Sequence, residues 1–132
     1  MKKGIISLLT ATLITACAGS PMRISFMSDQ EIKAERSGNL CNAYALNRSD
    51  RVRAELIRRN EITDEEWKVI DNKKIRIGIS ELALVCSWGA PTRINNQASR
   101  HGSSKQYVYR QGYSGRGQFV YIRQGKVSSW QG

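Results

Sequence analysis

The chain is organised around a short apolar stretch, residues 78–91, whose pattern predicts a helix with defined ends. Ser80 can serve as the N-cap, Gly89 suits the position after the last turn, and Pro91 prevents continuation. The residues at helical spacing form the predicted inner face: Leu82, Val85, Cys86 and Gly89. A helix of this length does not hold alone in water, so it must pack against other elements.

Alternating apolar and polar positions downstream predict strands that can cover this helix. Three strands are expected: Lys105–Arg110, Gln118–Arg123 and Lys126–Gln131. A glycine-rich turn at 111–117 and a tight hairpin at Gln124-Gly125 connect them into an antiparallel meander. The polar run 92–104 is predicted to be an exposed loop.

Upstream, residues 28–74 have the pattern of four short helices. Capping boxes of the form Ser/Thr-x-x-Glu begin at Ser28 and Thr63, the first opening a helix expected to reach Arg36. A second helix is expected at 39–46 after a break at Ser37-Gly38, and a third, capped by Ser49, at 50–59. The predicted buried positions are Leu40, Cys41, Tyr44, Ala45, Val52, Leu56, Ile57, Trp67 and Ile70. The arginines of the third helix, Arg51, Arg53, Arg58 and Arg59, are expected on its solvated side. Between these helices and the central one, Lys73–Ile79 alternates like a half-buried extended segment, with Ile75, Ile77 and Ile79 on its inner side.

The first 16 residues have the pattern of an export signal. Lys2 and Lys3 precede an apolar run that is too short to span a membrane. The order Ile14-Thr15-Ala16-Cys17 resembles the bacterial lipobox, in which the cysteine is lipidated and becomes the mature N-terminus. Residues 17–27 are then a lipidated tether, and Ala18 after the cysteine favours the outer membrane. The alternative is an ordinary secretory signal with a coincidental cysteine.

The chain is basic, with 21 Lys and Arg against 11 Asp and Glu. Basic proteins bind anionic partners, and the anions available to an exported protein are envelope phosphates and polymers rather than nucleic acid. The candidate anion contacts are Arg51, Arg58, Arg59, Lys73 and Lys74. Arginine-rich helix faces are, however, most often just solvated surface.

If Cys17 carries lipid, Cys41 and Cys86 remain as a pair in an oxidising compartment, where a disulfide is the ordinary expectation. Two buried free thiols are the alternative. A metal site or cofactor is not expected, because His101 is the single histidine. No nucleophile elbow or phosphate-binding loop is present, so neither an enzyme nor a small-molecule substrate is predicted.

Several short motifs between residues 75 and 130 carry a family resemblance: Gly78-Ile-Ser80, Trp88-Gly-Ala-Pro91, Gln106-Tyr-Val-Tyr109, Phe119 to Ile122 and Gly125-Lys-Val127. Their order resembles the SmpA/OmlA family of small outer-membrane lipoproteins, typified by the BamE component of the β-barrel assembly machinery. The resemblance implies helices packed on a three-stranded antiparallel sheet. The helical region 28–74 and the cysteine pair depart from the family pattern, so we expect a relative with another envelope task.

Together these patterns predict an α+β protein in which residues 28–74 and 75–132 form one globular domain. The expected function is that of a non-catalytic lipoprotein, held in the outer membrane by Cys17 and facing the periplasm or the cell surface. Aromatic strand residues are the predicted contacts to another envelope protein: Tyr107, Tyr109, Phe119, Tyr121 and Trp130. The alternatives are a basic domain that binds an anionic envelope polymer or lipid headgroups, and a proteinaceous enzyme inhibitor.

Overall fold

A computed structural model describes residues 19–110 and 117–132 of the chain. The predicted signal peptide, Cys17 and most of the predicted glycine turn lie outside these ranges. The described part is α+β, with a helical layer followed by a four-stranded antiparallel sheet in the order β1-β2-β3-β4. The elements are α1 Pro21–Ser25, α2 Asp29–Ala34, α3 Ser37–Asn47, α4 Asp50–Arg59, α5 Asp64–Asp71, α6 Glu81–Trp88, β1 Arg93–Ser99, β2 Gly102–Arg110, β3 Gly117–Arg123 and β4 Lys126–Gln131.

The predicted helix starts are confirmed where a side chain caps the first turn. Ser28 and Thr63 form complete capping boxes, and Ser80 Oγ accepts from the backbone N–H of Ala83 at 3.1 Å. Ser49 stands at the N-cap of α4, but its side chain makes no capping hydrogen bond. Ser37-Gly38 opens α3 rather than separating two helices.

Glu66, the acid of the second capping box, also connects α5 to α6. Its carboxylate accepts from the backbone N–H of Thr63 at 3.0 Å and of Ser80 at 2.6 Å. Burial acts to raise the pKa of Glu66, but these hydrogen bonds prevail and leave it lowered. One buried carboxylate therefore fixes the start of two helices.

The segment predicted as a tether is part of the folded domain from Gly19 onward. Helix α1 packs on α3, and Ile24 and Met27 are buried in the core. Gly19 has φ +84°, and a Cβ there would lie 2.2 Å from Asn39 Nδ2, so its backbone packs directly on α3. The prediction failed because α1 is too short to show a period of its own.

The sheet has one strand more than predicted. Residues 93–99, expected in a loop, form β1 and pair with β2, with Ile94 opposite Tyr107 and Ser99 opposite Gly102. Both faces of β1 are largely exposed, so its sequence lacks the apolar alternation that identifies a strand. The three-stranded meander is therefore extended at one edge.

The other edge of the sheet is covered by the chain entering α6. The N–H of Gly78 donates to Val127 O at 2.8 Å, and the N–H of Val127 donates to Ile79 O at 2.9 Å. Only this end of the predicted extended segment is paired, so Ile79 is buried whereas Ile77 is 59% exposed. The expectation of an inward Ile77 was wrong, and the edge strand β4 is protected.

A disulfide joins Cys41 in α3 to Cys86 in α6, as the cysteine pattern predicted. Helix α6 buries a face shifted from the predicted one. Of the predicted inner face, Cys86 and Gly89 are buried, whereas Leu82 and Val85 are only partly buried; Ala83, Leu84 and Ser87 are buried instead. The shift arises because α6 contacts α3, α5 and β4, and no single stripe satisfies all three neighbours.

Candidate functional site

The two faces of the sheet have different surroundings. Tyr107 and Tyr109, two of the predicted partner contacts, point towards the helices and are buried. The Tyr107 hydroxyl donates to the Glu81 carboxylate, and the Tyr109 hydroxyl donates to Gly89 O at 3.0 Å. Burial raises the pKa of both tyrosines, with Glu81 contributing in the same direction. These two rings therefore attach the sheet to α6.

The opposite side of the sheet, here called the outer face, carries Phe119 and Tyr121 on β3. Both are partly buried, and Phe119 lies opposite Val108 of β2, which is itself buried. The strand register thus leaves two of the five predicted aromatic contacts on this face. An aromatic patch on the side of the sheet away from the helices is a candidate contact surface.

A row of side-chain hydrogen bonds crosses all four strands on the outer face. Asn95 Nδ2 donates to Gln106 Oε1 at 2.8 Å, and Gln106 Nε2 donates to the Tyr121 hydroxyl at 3.1 Å. The Tyr121 hydroxyl then donates to Gln131 Oε1 at 3.4 Å. We call these four residues the amide row. Because each member fixes the next, the polar groups of this face are held in place before any partner binds.

A shallow cavity of about 310 Å³ adjoins the amide row. Its lining is mostly polar and consists of Gln97, Ser104, Tyr121, Arg123, Ser128 and Ser129. Hydroxyl and amide groups of this kind can hydrogen-bond to peptide groups and polar side chains of another protein. The outer face therefore combines an aromatic patch with polar groups that can pair.

Trp130, the last of the predicted aromatic contacts, does not belong to the outer face. It lies opposite Val120, a core residue, across β3 and β4. Its side chain is 50% exposed because β4 is near the edge of the sheet. The five aromatic residues are thus divided among the core, the outer face and this edge.

The arginines predicted to contact an anion are engaged within the helical layer. Arg51 Nη2 lies 2.7 Å from the Asp29 carboxylate, which ties α4 to α2. Arg58 and Arg59 lie 2.7 and 2.9 Å from the buried Glu55 carboxylate. Their hydrogen bonds lower the pKa of Glu55 to about 2. These guanidinium groups already have anionic partners in their own chain.

Lys73 and Lys74 lie in the exposed connection after α5. Their carbonyl groups have structural roles: Lys73 O accepts from Trp88 Nε1 at 3.1 Å, and Lys74 O accepts from the Ser87 hydroxyl at 2.5 Å. Neither side chain forms an ion pair with any of the described residues. Among the predicted anion contacts, only these two lysines therefore lack an anionic partner within the described residues.

Two positions of α4 differ from the expectation: Ile57, expected to face inward, is 52% exposed, and Arg53, expected in water, is a packing residue. Its guanidinium group binds both carboxylate oxygens of Asp71, at 2.5 and 3.1 Å, and donates to the Tyr44 hydroxyl at 2.7 Å. It also lies 4.4 Å from the centre of the Trp67 ring. The spacing of the sequence could not reveal this contact, because it depends on how α4 packs against α5.

Within residues 19–110 and 117–132, no helix is long and apolar enough to cross a membrane. No group of three or more His, Cys, Asp or Glu side chains in these ranges could hold a metal ion.

Comparison with models of known families, with curated proteins and with solved structures gives no match. The similarity to the SmpA/OmlA family therefore stays a prediction from the sequence motifs.

Proposed function

We propose that the protein is a non-catalytic lipoprotein of the bacterial outer membrane that binds another envelope protein. Cys17 carries the lipid, and the domain faces the periplasm on an α+β scaffold similar to that of the SmpA/OmlA family, with one additional strand. The observation that carries the interaction role is the outer face, where the amide row and Phe119 present a fixed surface on the side of the sheet away from the helices.

The composition of the outer face fits a protein partner. Aromatic rings contribute most of the binding energy at protein interfaces, and tyrosine combines apolar area with a hydroxyl that can pair. The amide row limits the side-chain entropy that binding would otherwise cost. An adjoining polar cavity supplies donors and acceptors at the rim.

The disulfide supports the exported location. Such bonds persist in oxidising compartments and are rare in the bacterial cytosol. The bond between Cys41 and Cys86 leaves Cys17 as the remaining cysteine of the chain, and that cysteine stands at the lipobox position.

The alternative role, binding an anionic polymer or lipid headgroups, has less support from the contacts. Arg51 and Arg59 would have to exchange carboxylate partners for an external anion, and each exchange gives up an existing ion pair. Lys73 and Lys74 remain available for such an anion.

Site-specific photocrosslinking in living cells tests the proposal. A photoreactive phenylalanine analogue is placed at Phe119 on the outer face and, as a control, at Ile57, which is 52% exposed on α4. We expect one defined protein adduct from position 119 and none of that mass from position 57. When the crosslinking is repeated on isolated envelope membranes, the adduct should form equally in high salt, because an apolar contact is little screened. An adduct from position 57 alone, or none from position 119, would contradict the proposal.

A further inference from the structure

The first described helix presents large apolar side chains to solvent beside the predicted anchor. Ile24 and Met27 point into the core, whereas Met22 is 76% exposed and Phe26 is 85% exposed. Met22 lies in α1 and Phe26 is the C-cap residue four positions later, so the two side chains lie on one side of this turn. We call Met22 and Phe26 the α1 patch. Two such residues side by side and almost fully hydrated indicate a surface that is covered in the functional state.

A third exposed apolar residue lies at the same end of this helix pair. Leu46 of α3 is exposed, and its neighbour Asn47 donates to the Ser25 hydroxyl at 3.1 Å. Ser25 directly precedes Phe26 in the chain. The end of α3 that carries Leu46 therefore lies beside the end of α1.

The distance along the chain determines what can cover this patch. Gly19 is fixed against Asn39 of α3, and only Ala18 separates it from Cys17. Two extended residues span at most about 7 Å. The headgroup layer of a bilayer is itself about 5–8 Å thick on each side. An acyl group on Cys17 would therefore hold the start of α1 within or against that layer.

We propose that the α1 patch inserts into the lipid interface next to the acylated Cys17, so that the domain docks on the membrane through α1. This inference rests on the proposed lipid anchor and adds an orientation to it. Docking through α1 is consistent with a free outer face, because α1 packs on α3 in the helical layer and Phe119 lies on the opposite side of the sheet.

The local charge favours an apolar contact rather than an electrostatic one. Arg23 lies between the two patch residues and near Glu31 and Glu35. Hydrogen bonds from Ser28 to Glu31 and from Asn39 to Glu35, with a smaller contribution from Arg23, lower the pKa of both carboxyls. Because the positive charge faces carboxylates of its own chain, docking should depend little on anionic lipid or on salt.

Fluorine NMR tests the inference directly, because the chain contains just two phenylalanines, Phe26 and Phe119. The full-length protein is expressed with 4-fluorophenylalanine, purified in its processed form and reconstituted into vesicles of phosphatidylethanolamine and phosphatidylglycerol. A small fraction of nitroxide-labelled phosphatidylcholine is included, and the two signals are assigned with Phe119→Leu. The intact mass of the same sample reports whether Cys17 is acylated.

We expect the nitroxide lipid to remove most of the Phe26 signal and to leave the Phe119 signal near its height in unlabelled vesicles. The effect should be the same at high salt. Met22→Ser should restore part of the Phe26 signal, whereas Ile57→Ser, an equivalent change on α4, should restore none. Circular dichroism establishes that both variants are folded.

Three outcomes would overturn the inference, and they are distinguishable. An acylated protein with both signals equally affected, or with neither affected, rejects docking through α1 but leaves the lipid anchor intact. Signal loss that requires a high protein-to-lipid ratio points to a second copy of the chain as the covering surface. A mass without acyl chains rejects the anchor itself, and with it the inference.

Discussion

Removal of the disulfide should cost a large share of the stability of this domain. The bond joins α3 to α6 across 45 residues of chain, and both sulfur-bearing residues are fully buried. The perturbation is the double variant Cys41→Ala/Cys86→Ala, which keeps both positions apolar. Alanine avoids the buried hydroxyl that serine would introduce.

The magnitude follows from the length of the closed loop. Cross-linking residues this far apart lowers the entropy of the unfolded chain by an amount that corresponds to about 4 kcal/mol at 25 °C. A domain of this size has a free energy of unfolding of about 6–16 kcal/mol. The double variant should therefore stay folded at 25 °C, with a melting temperature lower by roughly 10–20 °C.

Urea unfolding followed by circular dichroism measures this difference, with and without dithiothreitol. The wild-type protein in reductant should unfold at the urea concentration of the double variant, and the double variant itself should be insensitive to reductant. A free energy of unfolding within about 1 kcal/mol of the wild type would refute the reasoning, because the loop-entropy contribution would then be missing.

Three further substitutions test the contacts of the helical layer by the same unfolding measurement. Glu66→Gln should cost about 1–3 kcal/mol of unfolding free energy at neutral pH. Because the pKa of Glu66 is lowered from 4.5 in the folded protein, this cost should shrink as the pH falls through the folded-state pKa. A cost that does not change with pH would contradict the role of the ionised carboxylate. Arg53→Lys should cost about 1–2 kcal/mol through the lost bidentate pair and ring contact, whereas Arg76→Lys, at an exposed arginine that forms no ion pair with the described residues, should be nearly neutral; equal effects would contradict this. Gly19→Ala should lower the free energy of unfolding by about 1–2 kcal/mol, because φ is +84° and the added Cβ would collide with the Asn39 side chain. Gly38→Ala, where a Cβ would meet no atom within 4 Å, should not lower it.

Those parts of the fold that depend on local chemistry were predictable from the sequence. The capping side chains of Ser28, Thr63 and Ser80 act within three residues of chain, so their patterns identify helix starts directly. The disulfide followed from the number of cysteines and the expected compartment. Alternation within each strand correctly paired Tyr107 with Tyr109 and Phe119 with Tyr121, but which pair faces the helices depends on the register between β2 and β3.

The missed elements depend on distant partners. Strand β1 is largely exposed on both faces, and only its pairing with β2 makes it a strand. Helix α1 is five residues long and is held by packing on α3. Which aromatic residues are buried depends on where the helices lie, so alternation alone cannot separate Tyr107 and Tyr109 from surface residues. The amide row forms only when all four strands are in register. In the sequence, Gln106 and Gln131 are ordinary polar residues with nothing to indicate that they align.

The most direct test of the central claim is the intact mass of the protein extracted from bacterial membranes. The account predicts a chain that begins at Cys17 and carries acyl groups, and a Cys17→Ala variant that lacks them and is lost from the outer-membrane fraction. A wild-type chain without added acyl mass, or a Cys17→Ala variant that remains in that fraction, would contradict it.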